Sequence, residues 1–349
     1  MAKAEDRRNR LLSIFGIRIL VLALSVALGV HVTLERAEAG QQTASGTNPS
    51  QSVDQGLTDP ALIGAFDAHA HMAPDRSQRS IDSIDLAKLA KARGMRGFVI
   101  KEPNGDSAPL AYDVRKLVPG VEVFGSITLN DAVGMNAEAV RSMAETTGGW
   151  GRVVWFPTFA TEDSVHRSPN PNGRFVDVMR DGKLLPEVLE VLDVIAKTKT
   201  VESNGELVLA SGHSPPEETL VFLREAKARG VKHMSVTHPI PDTNDGRPEW
   251  TLAQLKEAAK LGAFIEVRWR LVQVPNAVAK KAAEYIRQLG VENVILVTDL
   301  GQQGNPLHPD GLVMMAKWLR GEGFTDQQLN RMMKENPARL MGLPLQNEH

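Results

Sequence analysis

The feature that most restricts the fold is an alternation of short apolar runs with amphipathic helical patterns, which begins near residue 63 and continues to the end of the chain. Continuous apolar runs separated by helices are typical of parallel strands that are buried on both faces. Eight strand–helix units fit a (β/α)8 TIM barrel better than the alternative, a Rossmann-like open sheet, and no strand–turn–helix segment carries G-x-G-x-x-G. The predicted strands are Gly64–His69, Gly97–Lys101, Val121–Thr128, Arg152–Phe156, Glu206–Ala210, His233–Thr237, Ala263–Val267 and Asn293–Thr298.

Composition excludes several classes of protein. With 349 residues, of which 42% are hydrophobic and 23% charged, the chain is globular and neither disordered nor a polytopic membrane protein. It has no cysteine, which excludes disulfides, thiolate metal sites, iron–sulfur clusters and a cysteine nucleophile. The net charge of −2 gives no basic excess for nucleic acid, so the expected partner is a small-molecule substrate.

The first 39 residues have the pattern of an export signal. An apolar run, Ile19–Val32, precedes the small-x-small sequence Ala37-Glu38-Ala39 and follows a basic cluster of Lys3, Arg7, Arg8 and Arg10. The run is short for a bilayer, which needs about 20 apolar residues. We therefore predict a cleaved signal and a periplasmic or secreted protein, with an uncleaved inner-membrane anchor from Leu11 as the alternative and the only expected membrane contact. The composition of residues 40–60 predicts a flexible linker, and residues 61–349 are predicted to form the barrel.

The longest insertion in the strand–helix pattern spans residues 161–183. Its sequence Arg180-Asp181-Gly182-Lys183 predicts a small Asp-Gly hairpin. Long insertions after a barrel strand lie over the mouth of the barrel, where substrates bind.

Polar side chains follow several of the predicted strands, and these positions carry function in barrels of this kind. His69 and His71 are two residues apart, so both point to the same face of the first strand. Taken singly, a histidine at a strand end is more often an ordinary hydrogen-bonded residue, and Asp299 a helix N-cap. Together, nitrogen and oxygen donors at four strand ends predict one divalent metal site, for zinc or else manganese or iron. The predicted ligands are His69, His71, His213, His238 and Asp299.

These motifs resemble the amidohydrolase superfamily of metal-dependent hydrolases, and most closely a poorly characterised bacterial branch of it. The resemblance runs from about residue 62 to residue 345 and includes the ending Asn336-Pro337-Ala338-Arg339-Leu340-Met341-Gly342-Leu343. It implies hydrolysis of an amide, lactone, ester or imine carbon by metal-activated water. Asp299 would take the proton, and His238 would polarise the attacked carbonyl oxygen or bind a second metal. A metal-dependent decarboxylase and an inactive exported binding protein are the alternatives.

Lys101 is the third residue to which we assign a catalytic role. Many binuclear members of the superfamily carry a bridging carboxylated lysine at the end of strand four, but Val153–Thr158 contains no lysine. Lys101, at the end of strand two, is left with three roles: a carboxylated bridge, a cation that binds a substrate carboxylate, or an ion pair with Glu102. One metal is therefore favoured, and two are expected only if Lys101 is carboxylated.

Three further residues leave their roles open. Asp67 either orients a metal ligand or is a core hydrogen-bond acceptor. Glu266 either reaches the site or pairs with Arg268 or Arg270. His308, on the predicted loop after strand eight, either touches the substrate or, as we expect, is only a loop residue.

Overall fold

The computed structural model describes residues 52–240 and 248–346, which lie within one compact unit from Gln51 to His349. The predicted signal peptide or anchor, residues 1–39, and residues 40–51 of the predicted linker lie outside the described residues. Within the described ranges, none of the helices combines the length and the apolar character needed to cross a bilayer.

Eight parallel strands form a single sheet in which spatial neighbours follow in chain order, and the sheet curls into a nearly closed barrel. All eight predicted strands are present, with ends within two residues of the predicted positions, so the prediction of a (β/α)8 barrel is confirmed. The strands are β1 Phe66–Ala70, β2 Gly97–Ile100, β3 Glu122–Thr128, β4 Gly151–Trp155, β5 Val208–Ala210, β6 His233–Val236, β7 Ala263–Arg268 and β8 Val294–Val297.

A helix follows each strand, as the amphipathic patterns between the apolar runs predict. These helices are α1 Ser83–Ala92, α2 Ala108–Leu117, α3 Ala137–Ala144, α4 Pro186–Lys197, α5 Pro216–Arg229, α6 Leu252–Leu261, α7 Asn276–Leu289 and α8 His308–Gly321. The insertion between β4 and α4 holds a short helix, Glu162–His166, and the predicted hairpin, in which Met179–Arg180 pairs with Lys183–Leu184. Asp181 and Gly182 both have positive φ, at 50° and 74°, which matches the Asp-Gly turn.

Alternate positions of the strands fill the inside of the barrel with apolar side chains, among them Phe66, Val99, Phe124, Val153, Trp155 and Ile295. Leu340 and Met341, from the C-terminal segment, belong to the same cluster. Asn336 ties this segment to the start of β8, because its amide donates to the carbonyl oxygens of Val291 and Val294, both at 2.7 Å. The Asn-Pro-Ala ending therefore packs against the barrel core.

The two edges of the sheet meet where β1 passes β8. The N–H of Asp299 donates to the carbonyl oxygen of His69 at 2.8 Å. The buried carboxylate of Asp67 accepts the N–H of Thr298 at 3.0 Å and its hydroxyl at 2.6 Å. Burial raises the pKa of Asp67 to about 6. Asp67 is thus a core hydrogen-bond acceptor that joins the two edges, which is the second of its two predicted roles.

Residues 54–59, the last part of the predicted linker, are held on the barrel by a buried carboxylate. Asp310 of α8 accepts the N–H of Gln55 at 2.6 Å and the N–H of Leu57 at 3.0 Å, one with each oxygen. The guanidinium of Arg93 lies 3.3 Å from the same carboxylate. This end of the predicted linker is therefore docked by specific hydrogen bonds.

We predict that Asp310→Ala lowers the free energy of unfolding by about 2–4 kcal/mol, because two N–H groups and a partly buried guanidinium lose their acceptor. Urea unfolding measures the loss, and limited proteolysis should cleave residues 52–60 earlier than in the wild type. The control is Asp326→Ala, whose carboxylate is 77% exposed and should contribute less than about 1 kcal/mol. Equal stability of the two variants would contradict the docking of this segment.

Candidate metal centre

The five predicted ligands converge at the carboxyl ends of the strands, around the carboxylate of Asp299. Its Oδ1 lies 3.1 Å from Nε2 of His69 and 3.3 Å from Nε2 of His71. Its Oδ2 lies 3.8 Å from Nε2 of His238. His213 adjoins the group, with its Nε2 3.2 Å from Nε2 of His238. Side chains that follow β1, β5, β6 and β8 thus lie together at one end of the barrel, with His69, His71 and His238 around Asp299 and His213 next to His238.

Two of these residues have a strained backbone. His238 has φ of 27° and Asp299 has φ of 53°. Positive φ is uncommon for any residue other than glycine, although His and Asp adopt it more often than most. Such a conformation costs about 1–3 kcal/mol and persists mainly where the surrounding structure requires it, as at functional sites. His238 lies just after the end of β6, and Asp299 just after the end of β8. The positive φ of each residue therefore determines the direction in which its side chain points at the mouth of the barrel.

Gly212 determines the position of His213, the donor that follows β5. Gly212 has φ of 63°, and a Cβ there would lie 2.3 Å from the carbonyl oxygens of Phe156 and Pro157. The next residue, His213, donates its N–H to the carbonyl oxygen of Pro157 at 2.9 Å. The close passage of the two chain segments therefore requires glycine at this position.

Burial and neighbouring charges set the protonation of the donors. Burial lowers the pKa of His71 to about 3, which keeps its imidazole neutral. Burial alone would raise the pKa of Asp299, but the charge of His69 and hydrogen bonds from His69 and His71 outweigh it and hold the pKa well below its usual value. For His69, burial and Lys101 lower the pKa, while Asp299 and Glu266 raise it by more. The site thus holds an ionised carboxylate, which favours a cation beside it.

Lys101 extends from β2 into the same group. Its Nζ lies 2.9 Å from Nε2 of His69 and 4.3 Å from the centroid of the Trp155 ring. Burial lowers the pKa of Lys101 to about 8. The carboxylate of Glu102 accepts the N–H of Asn104 at 2.9 Å. The contacts of Lys101 are therefore with the predicted ligand set and not with Glu102.

Two arginines that the sequence analysis did not assign to the site also reach it. Arg268 places Nη1 2.7 Å from Oδ2 of Asp299. Arg79 places Nη2 3.4 Å from Nδ1 of His71 and is held by Asp75 at 2.7 Å through its Nε. The period of two along β7 could have identified Arg268, because it lies on the same face as Glu266. No spacing rule places Arg79, which lies on the loop after β1.

The remaining predicted residues take definite positions. Of the alternatives for Glu266, the structure shows the first, because its Oε2 lies 3.0 Å from Nδ1 of His69. His308 is buried, with Nε2 3.0 Å from the carbonyl oxygen of Leu300, and burial lowers its pKa to about 4. The expectation of an ordinary loop residue is therefore wrong, because His308 is the buried first residue of α8 and contacts the backbone of the chain after β8. His166 is exposed on the insertion and does not line the cavity described below.

The donors open into a cavity of about 510 Å³ at the mouth of the barrel. The segment after β4 forms part of its wall through Phe159, Ser164 and Arg167. Phe159 is 62% exposed, although it is a large apolar side chain. The insertion thus borders the cavity above the donors, as predicted.

The donor set fits a divalent cation. One donor atom each from His69, His238 and Asp299 lies within 4.8 Å of the other two. Imidazole nitrogen and carboxylate oxygen are ligands for zinc, manganese and iron. Lys101 and Arg268 contact two of these donors, so an ion bound here would compete with both side chains for the same atoms.

Comparison with known proteins identifies a family and a fold. Residues 64–266, more than half of the chain, match a family described as "Family of unknown function (DUF6282)". The sequence matches no curated protein.

Several solved structures share the fold. An amidohydrolase from Pseudomonas aeruginosa is 14% identical, with 81% of this chain and 98% of that chain covered and a TM-score of 0.53. An amidohydrolase from Burkholderia multivorans with bound zinc is 12% identical, with 80% and 99% covered and a TM-score of 0.52. The probable dipeptidase PvdM from Pseudomonas aeruginosa is 10% identical, with 80% and 95% covered and a TM-score of 0.55. At these identities the similarity shows the fold alone, a (β/α)8 barrel.

We predict that Gly212→Ala costs more than about 3 kcal/mol, because its Cβ would overlap two carbonyl oxygens in addition to adopting positive φ. The matched control is Gly134→Ala, where φ is 71° and no atom lies within 4 Å of the added Cβ. That change should cost only about 1–2 kcal/mol. Urea unfolding compares the two, and equal losses would show that the turn before His213 tolerates a side chain.

Proposed function

Because the chain belongs to the family of unknown function DUF6282 and folds as an amidohydrolase-superfamily barrel, we propose that it is a metal-dependent hydrolase of small molecules. The observation that carries the proposal is the convergence of His69, His238 and Asp299 within 4.8 Å at the barrel mouth. The zinc bound in the Burkholderia multivorans amidohydrolase supports zinc as the ion, with manganese or iron as alternatives.

A divalent ion held by these residues would supply hydroxide near neutral pH, because such an ion lowers the pKa of bound water to about 7. Asp299 accepts the proton at its carboxylate and delivers it to the leaving group. His238, whose Nε2 lies 3.8 Å from Asp299, has two alternative roles in this proposal. It is either a ligand of the ion, or, with the ion held by His69, His71, His213 and Asp299, the group that would polarise the carbonyl oxygen under attack. This arrangement suits the hydrolysis of an amide, lactone, ester or imine.

We propose one ion and not two. A second dication about 3.5–4 Å from the first needs an anion between them to offset the repulsion. The end of β4 provides Trp155 and Phe156, which are apolar, in place of a lysine. Only carboxylation of Lys101 would supply the bridge.

The charges around the donors support a substrate with an anionic group, such as a carboxylate next to the scissile bond. Among the described residues that line the cavity, the cationic side chains outnumber the single carboxylate, Asp299. The cations are Arg79, Lys101, Arg167 and Arg268. Lys101 and Arg268 lie nearest the reacting atoms, so we assign the anionic group to them.

We further propose that the barrel acts outside the cytoplasm. The basic start of the chain, the apolar run Ile19–Val32 and the sequence Ala37-Glu38-Ala39 support export to the periplasm or secretion. An inner-membrane anchor is the alternative for the same segment.

The metal content tests the proposal. We expect about one zinc, manganese or iron ion per wild-type chain purified without chelators, and a loss of most of it in His71→Ala, which removes a donor beside Asp299. The control, His166→Ala, changes an exposed histidine and should keep the metal. Elemental analysis gives the count, and the intact mass shows whether Lys101 carries one CO2. A wild type without metal would reject the proposed function, and full occupancy in His71→Ala would reject this ligand.

We predict that Asp299→Asn lowers kcat by a factor of about 10²–10⁴, because an amide cannot accept the proton. The control is Asp131→Asn, which removes an exposed carboxylate on the loop after β3 and should leave kcat unchanged. Rates are measured on an ester, lactone or amide that the wild type hydrolyses in a screen. Turnover of Asp299→Asn within tenfold of the wild type would exclude Asp299 as the proton acceptor.

A further inference from the structure

Glu266 is a carboxylate in the middle of β7, only 1% exposed to solvent. Its neighbours Ile265 and Val267 belong to the apolar core outside the barrel wall, so Glu266 points inward. A carboxylate removed from water is stable only if other groups replace its hydration. The partners of Glu266 therefore indicate what it does.

Each oxygen of Glu266 has its own partner on another strand. Oε2 lies 3.0 Å from Nδ1 of His69 on β1. Oε1 accepts the hydroxyl of Ser235, on β6, at 3.1 Å. Ser235 is itself 1% exposed, and His69 is fully buried. Ser235 thus holds one carboxylate oxygen of Glu266. The other oxygen contacts Nδ1 of His69, the ring nitrogen that does not face Asp299.

This contact decides which nitrogen of His69 is available to a metal. A neutral imidazole carries one N–H and one lone pair. In the metal-free chain Nε2, 3.1 Å from Oδ1 of Asp299, also shares a proton with that carboxylate. With Glu266 as acceptor the proton on Nδ1 is retained, so the proton lost when a metal binds is the one on Nε2, whose lone pair then becomes available. Without Glu266, Nε2–H could instead donate to Asp299, and the lone pair would leave the site.

We propose that Glu266 is a positioning residue of the metal centre, which holds the Nδ1–H tautomer and the ring plane of His69 so that Nε2 is the ligand atom. The inference rests on the proposed metal-dependent function. Trp155 completes the arrangement, because its ring packs at 4.6 Å between centroids against His69 and restricts rotation of the imidazole. Ser235 acts through Glu266 and holds its carboxylate in place.

Zinc affinity and the nitrogen chemical shifts of His69 test this role. We expect Glu266→Ala to bind zinc about 10–100-fold more weakly than the wild type, and Glu266→Gln, which keeps an oxygen acceptor, to lose less. Zinc titration against a competing chelator gives the affinity. Nitrogen NMR of histidine-labelled protein, with zinc and in the metal-free chain above the pH at which imidazole titrates, should show Nδ1 protonated in the wild type and a shift toward Nε2–H in Glu266→Ala.

The matched control is Glu102→Ala, which removes a partly buried carboxylate near the same mouth that accepts the N–H of Asn104. It should change neither readout. If Glu266→Ala does not fold, Ser235→Ala provides the second variant, with a smaller loss of zinc affinity in the same direction.

Unchanged zinc affinity and unchanged His69 shifts in both Glu266 variants would overturn the inference. A wild type that binds no zinc, manganese or iron would instead overturn the proposed function. In that case the metal-free nitrogen spectrum would still decide the role of Glu266: a lost Nδ1–H tautomer in Glu266→Ala supports it, and an unchanged spectrum overturns it.

Discussion

The contact between the first and last strands is the one on which both the barrel and its site depend. The N–H of Asp299 bonds to the carbonyl oxygen of His69, and the N–H of His71 bonds to the carbonyl oxygen of Leu300, both at 2.8 Å. His69, His71 and Asp299 thus join the two edges of the sheet through their backbone and contribute three of the five side chains of the donor set. Closure of the barrel and assembly of the site are therefore one event, and a change that opens this contact affects stability and chemistry together.

The buried charges at the mouth depend on one another. Lys101 lies against His69, Arg268 against Asp299, and Glu266 against the other nitrogen of His69. Removal of one member leaves its partner buried without compensation, which costs more than the lost contact itself. Double substitutions within this group should therefore not be additive, because the residues share partners.

The sequence predicts the barrel and the five converging donors because both follow from periodicity. Parallel strands end at the same edge, so polar residues after strands must come together whatever their distance in the chain. The docking of residues 54–59 could not be predicted in this way, since composition indicates a linker and the acceptor, Asp310, lies about 250 residues later. The same holds for Glu266, because alternation gives its face but not its partner across the barrel.

In the proposed function, the strand ends determine the chemistry, and the insertion after β4 determines the choice of substrate. The donors lie on strand ends that are fixed by backbone hydrogen bonds and by the requirement for glycine at position 212. The insertion adds Ser164 and Arg167 to the wall of the cavity from a short helix outside the sheet. Since the insertion is not part of the hydrogen-bonded barrel, its sequence can vary without moving the donors. Under the proposed function, related chains could therefore share this donor set and differ in substrate. The exposed side chain of Phe159, beside His213 at the rim, is the position where we expect such differences to act first.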